Sequence, residues 1–358
     1  AIVSIAPEDP TLTLARIELS LAEDAERAIE SLERYFPKWR GTSQEKRSEI
    51  FLRAAEILEE DRFAFIALIV LEAGKTWTEA DGDVAEAIDF LRYYAIEAIN
   101  LAKAQKLSNL SGESNIMFYE PRGVTAVICP WNFPLAIPCG MLVAALVTGN
   151  CAILKPAEQT SLIASKLFEL FLEAGVPAEA MAFLPGLGEE IGPVLMNHPQ
   201  IPTTVFTGSK EVGLLLTKQG ARSSEGAVHV KRVITEMGGK NSIIIDDDAD
   251  YDEAVRAVIQ SAFGYSGQKC SACSRVIIVG GIYERVVNRL IEATSSIIVG
   301  APSDPETFMG PLIDKEAQEK VEGFISRART SCKILAQAPL DAKKLNLSAP
   351  YVSPTLIG

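Results

Sequence analysis

Histidine is almost missing from this chain. His198 and His229 are the only two in 358 residues. A nucleophile served by an imidazole base, or a zinc site built on imidazoles, is therefore hard to assemble. One C-x-x-C is present, Cys270 to Cys273, but no second pair follows it, which again argues against zinc and leaves a dithiol redox pair as the open alternative. No block of Lys or Arg occurs, and 34 basic against 47 acidic residues give a net charge of −13. Phosphate backbones are gripped by clustered cations, so no nucleic-acid partner is expected. No apolar run is long enough to span a bilayer; the stretch from Leu135 to Val147 is too short, so no membrane partner is expected either. There is no signal-peptide pattern, and the six cysteines show no disulfide-scaffold spacing. The expectation is a soluble protein of a reducing compartment, cytoplasmic, or in the mitochondrial matrix if eukaryotic. Internal repeats and low-complexity segments are absent too.

What is present is a large apolar fraction, 48%, enough for a sizeable core and two or three domains. Residues 1 to 19 carry little signal. A helix is expected from Ser20 to Phe36-Pro37, and a second from a capping box at Thr42-Ser43-Gln44-Glu45 to Glu59 or Glu60. A third runs from Phe63 to Ala73 before Gly74, and a long fourth from about Thr78 to Lys103. Residues 104–122 are polar and turn-rich, which suits a hairpin or extension. From Val124 the pattern alternates. Strands at Val124–Cys129, Cys151–Leu154, Met181–Leu184, Thr203–Phe206, Val233–Thr235 and Ser242–Ile245 are separated by helical stretches, except between the last two. This predicts a parallel α/β sheet covered on both faces, with ligands at the carboxyl ends of its strands. A second α/β unit begins after Cys270, with a strand at Val276–Val279 and helices at Tyr283–Ile298 and Lys315–Arg329.

The chemistry concentrates at Ser261 to Arg275, SAFGYSGQKCSACSR. Thiolate is the reactive form of cysteine, and the cation Lys269 beside Cys270 favours it. The plain alternative is a small, buried, structural cysteine. Upstream, Glu236 precedes Gly238 and Gly239; a carboxylate beside two glycines can swing and act as a general base. In Pro130-Trp131-Asn132-Phe133-Pro134 the prolines stiffen a loop whose Asn amide suits a developing oxyanion; otherwise it is a well-packed turn. Phe206 to Gly213, FTGSKEVG, reads as strand, glycine turn and helix start, either a phosphate cradle or an ordinary turn. Gly186-Leu187-Gly188 is nearer to a nucleotide fingerprint, yet Glu189 and Glu190 would repel a pyrophosphate there. Lys155 and Glu158 could hold two ribose hydroxyls or form a surface ion pair.

Taken together, PWNFP, LKPAEQT, FTGSKEVG, EMGGKN and GQKCSACSR resemble the aldehyde dehydrogenase superfamily in order and spacing, over about Ser20 to Pro354. AGKTWTEADGDVAEAIDF and GYSGQKCSACSR are most similar to the branch that oxidises L-glutamate γ-semialdehyde to L-glutamate in proline catabolism. The resemblance implies an α/β fold with a Rossmann-type parallel-sheet cofactor domain and a second α/β catalytic domain. It divides the chain into a helical part of the cofactor domain at 1–103, an oligomerisation-type hairpin at 104–122, an NAD-binding domain at 123–262 and a catalytic domain at 263–358. It implies that Cys270 attacks the aldehyde, Asn132 and the Cys270 N–H hold the oxyanion, and Glu236 activates water. Lys155, Glu158, Gly188, Gly208, Ser209, Val212, Gly213, Gly238 and Trp131 would serve NAD, with the Glu158 carboxylate disfavouring a 2′-phosphate. Lys269 and Ser271 would meet the substrate's α-carboxylate, Phe133 its methylene chain and Glu86 its ammonium. No metal is implied. The implied partners are a small-molecule aldehyde, further copies of the chain in a homo-oligomer, and a proline dehydrogenase, separate or fused.

Chains of that family continue past Pro354. The later part carries a Glu-x-Phe-Gly-Pro motif for the nicotinamide ribose, a loop for the aldehyde's carboxylate and the remaining catalytic strands. The resemblance thus implies that the second domain is C-terminally incomplete here, as a fragment or a natural truncation. Two alternatives follow: a dehydrogenase of another semialdehyde such as succinate semialdehyde, and a catalytically silent module of the same fold.

Overall fold

The computed structural model describes residues 1–222 and 225–358. The chain opens with strands β1 (Ile2–Ala6) and β2 (Asp9–Ile17), which form a two-stranded sheet. Helices α1 (Ala22–Arg40), α2 (Gln44–Glu60), α3 (Arg62–Ala73) and α4 (Trp77–Leu101) follow. A short antiparallel hairpin, β3 (Gln105–Lys106) and β4 (Ile116–Met117), occupies the turn-rich stretch. Next come β5 (Val124–Ile128), α5 (Ala136–Val147), β6 (Cys151–Lys155), α6 (Ser161–Ala174), β7 (Met181–Phe183) and α7 (Gly188–Asn197). They are succeeded by β8 (Thr203–Gly208), α8 (Lys210–Gly220), β9 (Arg232–Met237), β10 (Asn241–Ile245) and α9 (Tyr251–Phe263). The last elements are β11 (Cys273–Ile278), α10 (Tyr283–Ser295), α11 (Lys315–Ser331), β12 (Ile334–Gln337) and β13 (Thr355–Ile357). Among the described residues, no helix is long and apolar enough to cross a membrane.

The contacts group the chain into two compact units. Unit 1 comprises 1–4, 16–65 and 82–237; unit 2 comprises 5–15, 66–81 and 238–358. This grouping differs from the four consecutive parts read from the sequence, because early segments belong with late ones.

Unit 1 is built on a parallel five-stranded sheet in the order β7-β6-β5-β8-β9. Its inner strands read as apolar runs, since both faces are covered; every residue of β6 is buried. Helix α1 buries Ala25, Ile29, Leu32 and Trp39, a stripe at helical spacing. It continues through Pro37, where the sequence predicted its end. Pro removes one backbone hydrogen bond and clashes in a helix interior, a cost of about 3 kcal/mol. That cost falls in the last turn, and the same turn buries Trp39, whose indole N–H donates to Leu146 O at 3.1 Å. Helix α2 is capped by Ser43, which accepts from Lys46 N, one residue later than the predicted box at Thr42. Its buried Phe51 meets Phe171 of α6 edge to face at 5.3 Å. Buried Arg47 donates from Nε to Val147 O at 2.9 Å, satisfying a carbonyl at the end of α5.

Unit 2 holds the parallel pair β10–β11 and the antiparallel pair β12–β13. Strand β10 therefore leaves the first sheet and joins β11, which corrects the expectation that both strands after residue 232 extend one α/β domain. Gly238 and Gly239 separate β9 from β10, so nothing forces the two strands into one sheet. One core of this unit gathers Ile245, Val255, Val258, Val286 and Leu290; another gathers Ile297, Val299, Met309, Leu345 and Tyr351. Strands β1 and β2 replace part of the helical opening expected over 1–103. In β1 the buried positions are Ile2, Ser4 and Ala6 while Val3 and Ile5 are exposed, an alternation that the mostly apolar sequence does not show.

Candidate active site

In unit 2, α9 ends at Phe263 and the chain turns through Gly264–Gly267 toward Cys270. Tyr265 (φ 49, ψ 40) and Ser266 (φ 57, ψ 26) both adopt left-handed backbone, which L-residues with a Cβ rarely do. Each such residue costs on the order of 1–3 kcal/mol and persists only where its surroundings fix it. Those surroundings are specific. Tyr265 is buried, and its Oη donates to Ala73 O at 2.9 Å. The Lys75 ammonium lies 4.8 Å from the Tyr265 ring centroid. Ser266 Oγ donates to Gly310 O at 2.8 Å, and Gln268 Oε1 accepts from Ile313 N at 3.0 Å.

This loop presents Cys270, Ser271 and Lys269. Cys270 and Ser271 are exposed. Cys273, the other half of the C-x-x-C, is a free thiol buried at the start of β11, with Sγ 3.2 Å from Arg275 O. Cys270 and Cys273 are both unpaired thiols. The Cys270 carbonyl accepts from Asn241 Nδ2 at 2.7 Å, and the same amide reaches Ala272 O at 3.2 Å. Lys269 Nζ is 2.5 Å from Glu79 Oε2, and Gln260 Nε2 donates to Glu79 Oε1 at 3.3 Å. The ammonium expected at a substrate carboxylate thus already faces one of the protein's own carboxylates. The remaining buried thiols are unsuited to nucleophilic work. Burial pushes Cys129 and Cys139 far up and Cys151 up to about 12.

In unit 1, Asn132 follows β5 in the half-buried loop with Trp131 and Phe133. The loop ends at α5, whose Ala136 N donates to buried Asp83 Oδ1 at 2.7 Å. A carboxylate at a helix start meets both an orphan donor and the positive end of the dipole. Glu236 is exposed and lies inside β9, paired with Thr207 of β8, rather than past the strand end. Glu86 is exposed on α4.

Lys155 closes β6 almost fully buried, and it does pair with Glu158, so the ion pair expected as the alternative forms with its lysine inside the fold. Its Nζ donates to Glu158 Oε1 at 2.7 Å and to Pro156 O at 3.0 Å. Glu158 Oε1 also accepts from Gly188 N at 3.1 Å, so Lys155, Glu158 and the start of α7 form one cluster. Ser209 caps α8 by accepting from Val212 N at 3.2 Å, and Val212 is exposed beside it. Gly208 and Gly213 have packing reasons to be glycine. A Cβ on Gly208 would lie 2.6 Å from the Phe206 ring, and one on Gly213 would lie 2.6 Å from Met237 Sδ. Gly238 has open space where a Cβ would be. This donor set fits a dinucleotide. A carboxylate with a solvent-facing side suits ribose hydroxyls, and a helix start suits a pyrophosphate. Glu158 already takes the Gly188 N–H at α7, so the start of α8 is the better phosphate end. Among the described residues, no group of three or more His, Cys, Asp or Glu is placed to hold a metal ion.

The sequence reading missed Glu79, Asn241, Asp83 and Tyr265. Asn241 ends the very motif that contains Glu236, and Glu79 stands seven residues before Glu86 on the same helix. Their partners are remote in sequence, so spacing alone could not pair them.

A model of the aldehyde dehydrogenase family matches residues 2–358. The chain is 44% identical over 355 residues to a 1-pyrroline-5-carboxylate dehydrogenase of Geobacillus sp. (strain WCH70), covering 99% of this chain and 68% of that protein. It is 41% identical over 355 residues to 1-pyrroline-5-carboxylate dehydrogenase 2 of Bacillus subtilis (strain 168), again covering 68% of the relative. Among solved structures, proline utilization A from Bdellovibrio bacteriovorus superposes with a TM-score of 0.96 at 44% identity, over 99% of this chain and 36% of that one. A 1-pyrroline-5-carboxylate dehydrogenase from Thermus with bound NAD superposes with a TM-score of 0.94 at 38% identity, over 99% of this chain and 68% of that one.

Proposed function

We propose, because the chain belongs to the aldehyde dehydrogenase family, that it oxidises L-glutamate γ-semialdehyde to L-glutamate with NAD. The semialdehyde is the open-chain form of 1-pyrroline-5-carboxylate, the compound named in the relatives at 40–44% identity. The observation that carries the reading is the presentation of Cys270: an exposed thiol on a loop whose backbone is fixed from several sides.

In this proposal the Cys270 thiolate attacks the aldehyde carbon. A C–S bond forms and the carbonyl electron pair moves to oxygen, where the Asn132 amide and the Cys270 N–H donate hydrogen bonds. Bound NAD would supply the acceptor for the hydride on this carbon. Glu236 accepts a proton from water, the water oxygen adds to the resulting thioester, and the C–S bond breaks to return the thiolate and release the acid. Lys155 and Glu158 hold the adenosine ribose, Ser209 and the start of α8 the pyrophosphate, and Trp131, Gly188, Val212 and Gly238 the rest of the cofactor. Gly208 and Gly213 shape that turn by admitting Phe206 and Met237. Ser271, Phe133 and Glu86 meet the substrate's carboxylate, methylenes and ammonium. With Glu79 on its ammonium, Lys269 adds only its remaining donor hydrogens. A homo-oligomer is supported by the apolar residues exposed along the β3–β4 hairpin and just after it, Leu110, Phe118 and Tyr119. Likeness to part of proline utilization A supports a proline dehydrogenase as the partner that supplies substrate, and a cytoplasmic setting goes with the bacterial relatives.

The test is NADH formation from glutamate γ-semialdehyde, with succinate semialdehyde alongside. Turnover that prefers the former and vanishes in Cys270→Ala is expected. Turnover that survives Cys270→Ala, or a preference for succinate semialdehyde, overturns the assignment.

A further inference from the structure

We infer that Glu79 is a positioning residue for the nucleophile, acting through Lys269 on the peptide that carries Cys270. The inference rests on the reading of Cys270 as the nucleophile. Glu79 stands in the first turn of α4, far from Cys270 in sequence but in the same compact unit. The pair is tight and sheltered: 2.5 Å between Nζ and Oε2, with side-chain exposures of 18% for Lys269 and 11% for Glu79. A sheltered ion pair fixes geometry better than an exposed one, because breaking it leaves a poorly solvated charge. Gln260 of α9 holds the other carboxylate oxygen at 3.3 Å, so Glu79 ties the end of that helix to the loop. Gly264 completes the fit, since a Cβ there would lie 2.8 Å from Glu79 Oε1 and 3.5 Å from Lys269 Nζ. A side chain at 264 would have to displace the Glu79 carboxylate from its present place.

The Lys269–Cys270 peptide is consequently held at both ends. On one side its lysine is anchored to Glu79; on the other, the Cys270 carbonyl is anchored to Asn241 Nδ2 at 2.7 Å. Between the anchors lie the Cys270 N–H and the thiol. The pairing has an electrostatic side too. An ammonium one residue from a thiol would stabilise its thiolate, and Glu79 offsets that charge. Two further charged side chains stand near the loop among the described residues: Lys75, whose ammonium lies over the Tyr265 ring, and Arg275 of β11, which donates to the Lys240 carbonyl just before β10.

The test is the pH dependence of Cys270 alkylation by iodoacetamide, followed on the Cys270 peptide by mass spectrometry, without cofactor or substrate. Glu79→Gln keeps the shape and removes the charge. The alkylation profile is expected to move to lower pH, because the Lys269 ammonium is then no longer offset. The double variant Glu79→Gln, Lys269→Met is expected to return toward the parent profile. Lys269→Met alone should raise the apparent pKa, because the carboxylate is then uncompensated, and Glu79→Asp should lie near the parent. A Glu79→Gln profile that superimposes on the parent, or single variants that shift the same way, overturns the inference. Because alkylation needs no turnover, opposite-sign shifts in a protein that does not oxidise the semialdehyde would sink the activity and leave the positioning role standing. An unmoved profile in an active enzyme would do the reverse.

Discussion

Tyr265 spends unfavourable backbone energy in a left-handed conformation a few residues before Cys270, and its hydroxyl is one of the groups that hold it there. Tyr265→Phe deletes that bond and leaves the buried Ala73 carbonyl without it. The expected loss is about 1–2 kcal/mol of stability, read by urea unfolding, with a change in the rate of Cys270 alkylation. An unchanged alkylation rate at reduced stability would mean that the loop is held by its other contacts. At this scale the sequence offers candidates by type and setting. Cys270, Glu236, Asn132, Lys155 and Glu158 stand out as chemistry-bearing types in short, distinctive stretches. Ion pairs such as Lys269 with Glu79 were not legible, because nothing local says which of many carboxylates a lysine will meet. For the same reason burial decided Lys155: its neighbours in sequence suit a surface pair as well as a buried one.

At the scale of elements, the start of α5 depends on a side chain from another helix. Asp83 supplies the acceptor that Leu135, at the N-cap position, lacks. Asp83→Ala should cost about 1–2 kcal/mol, the range of a lost cap with a favourable charge, and loosen the loop that carries Asn132. Chemical denaturation measures the first effect, and amide hydrogen exchange at Ala136 the second. Protection at Ala136 equal to the parent's would show that the bond does not hold the helix start. Element types were mostly readable, since β5 to α8 alternate with clear strand and helix periods. Two kinds of element escaped. Strand β1 is apolar everywhere but at the buried Ser4, so no polar alternation marks its exposed side. Strands β12 and β13 are four and three residues long, too short for a period to show. The assignment of β10 to the second sheet could not be read either, because strand partners are set by tertiary packing.

For the molecule as a whole, the proposed cofactor is a stabilising ligand. NAD at about a hundred times its dissociation constant should add about 2.7 kcal/mol to unfolding of the unit that binds it, and raise the melting temperature by several degrees. NADP should raise it less, because its 2′-phosphate would meet the Glu158 carboxylate. Equal shifts for the two cofactors would remove Glu158 from the ribose site. The overall class, parallel α/β with chemistry at strand ends, was legible from alternation alone; the division into units was not. Segments 5–15 and 66–81 pack with 238–358, and no composition shift marks them. That discontinuity has a bearing on synthesis. The two early segments leave the ribosome on the order of ten seconds or more before the chain they pack with, at typical elongation rates. Until then Ile66, Ile69 and Val70, all buried in the finished fold, have no completed core to enter. Nascent chains stalled before residue 238 should therefore engage holdase chaperones through α3, whereas released full-length chains should not.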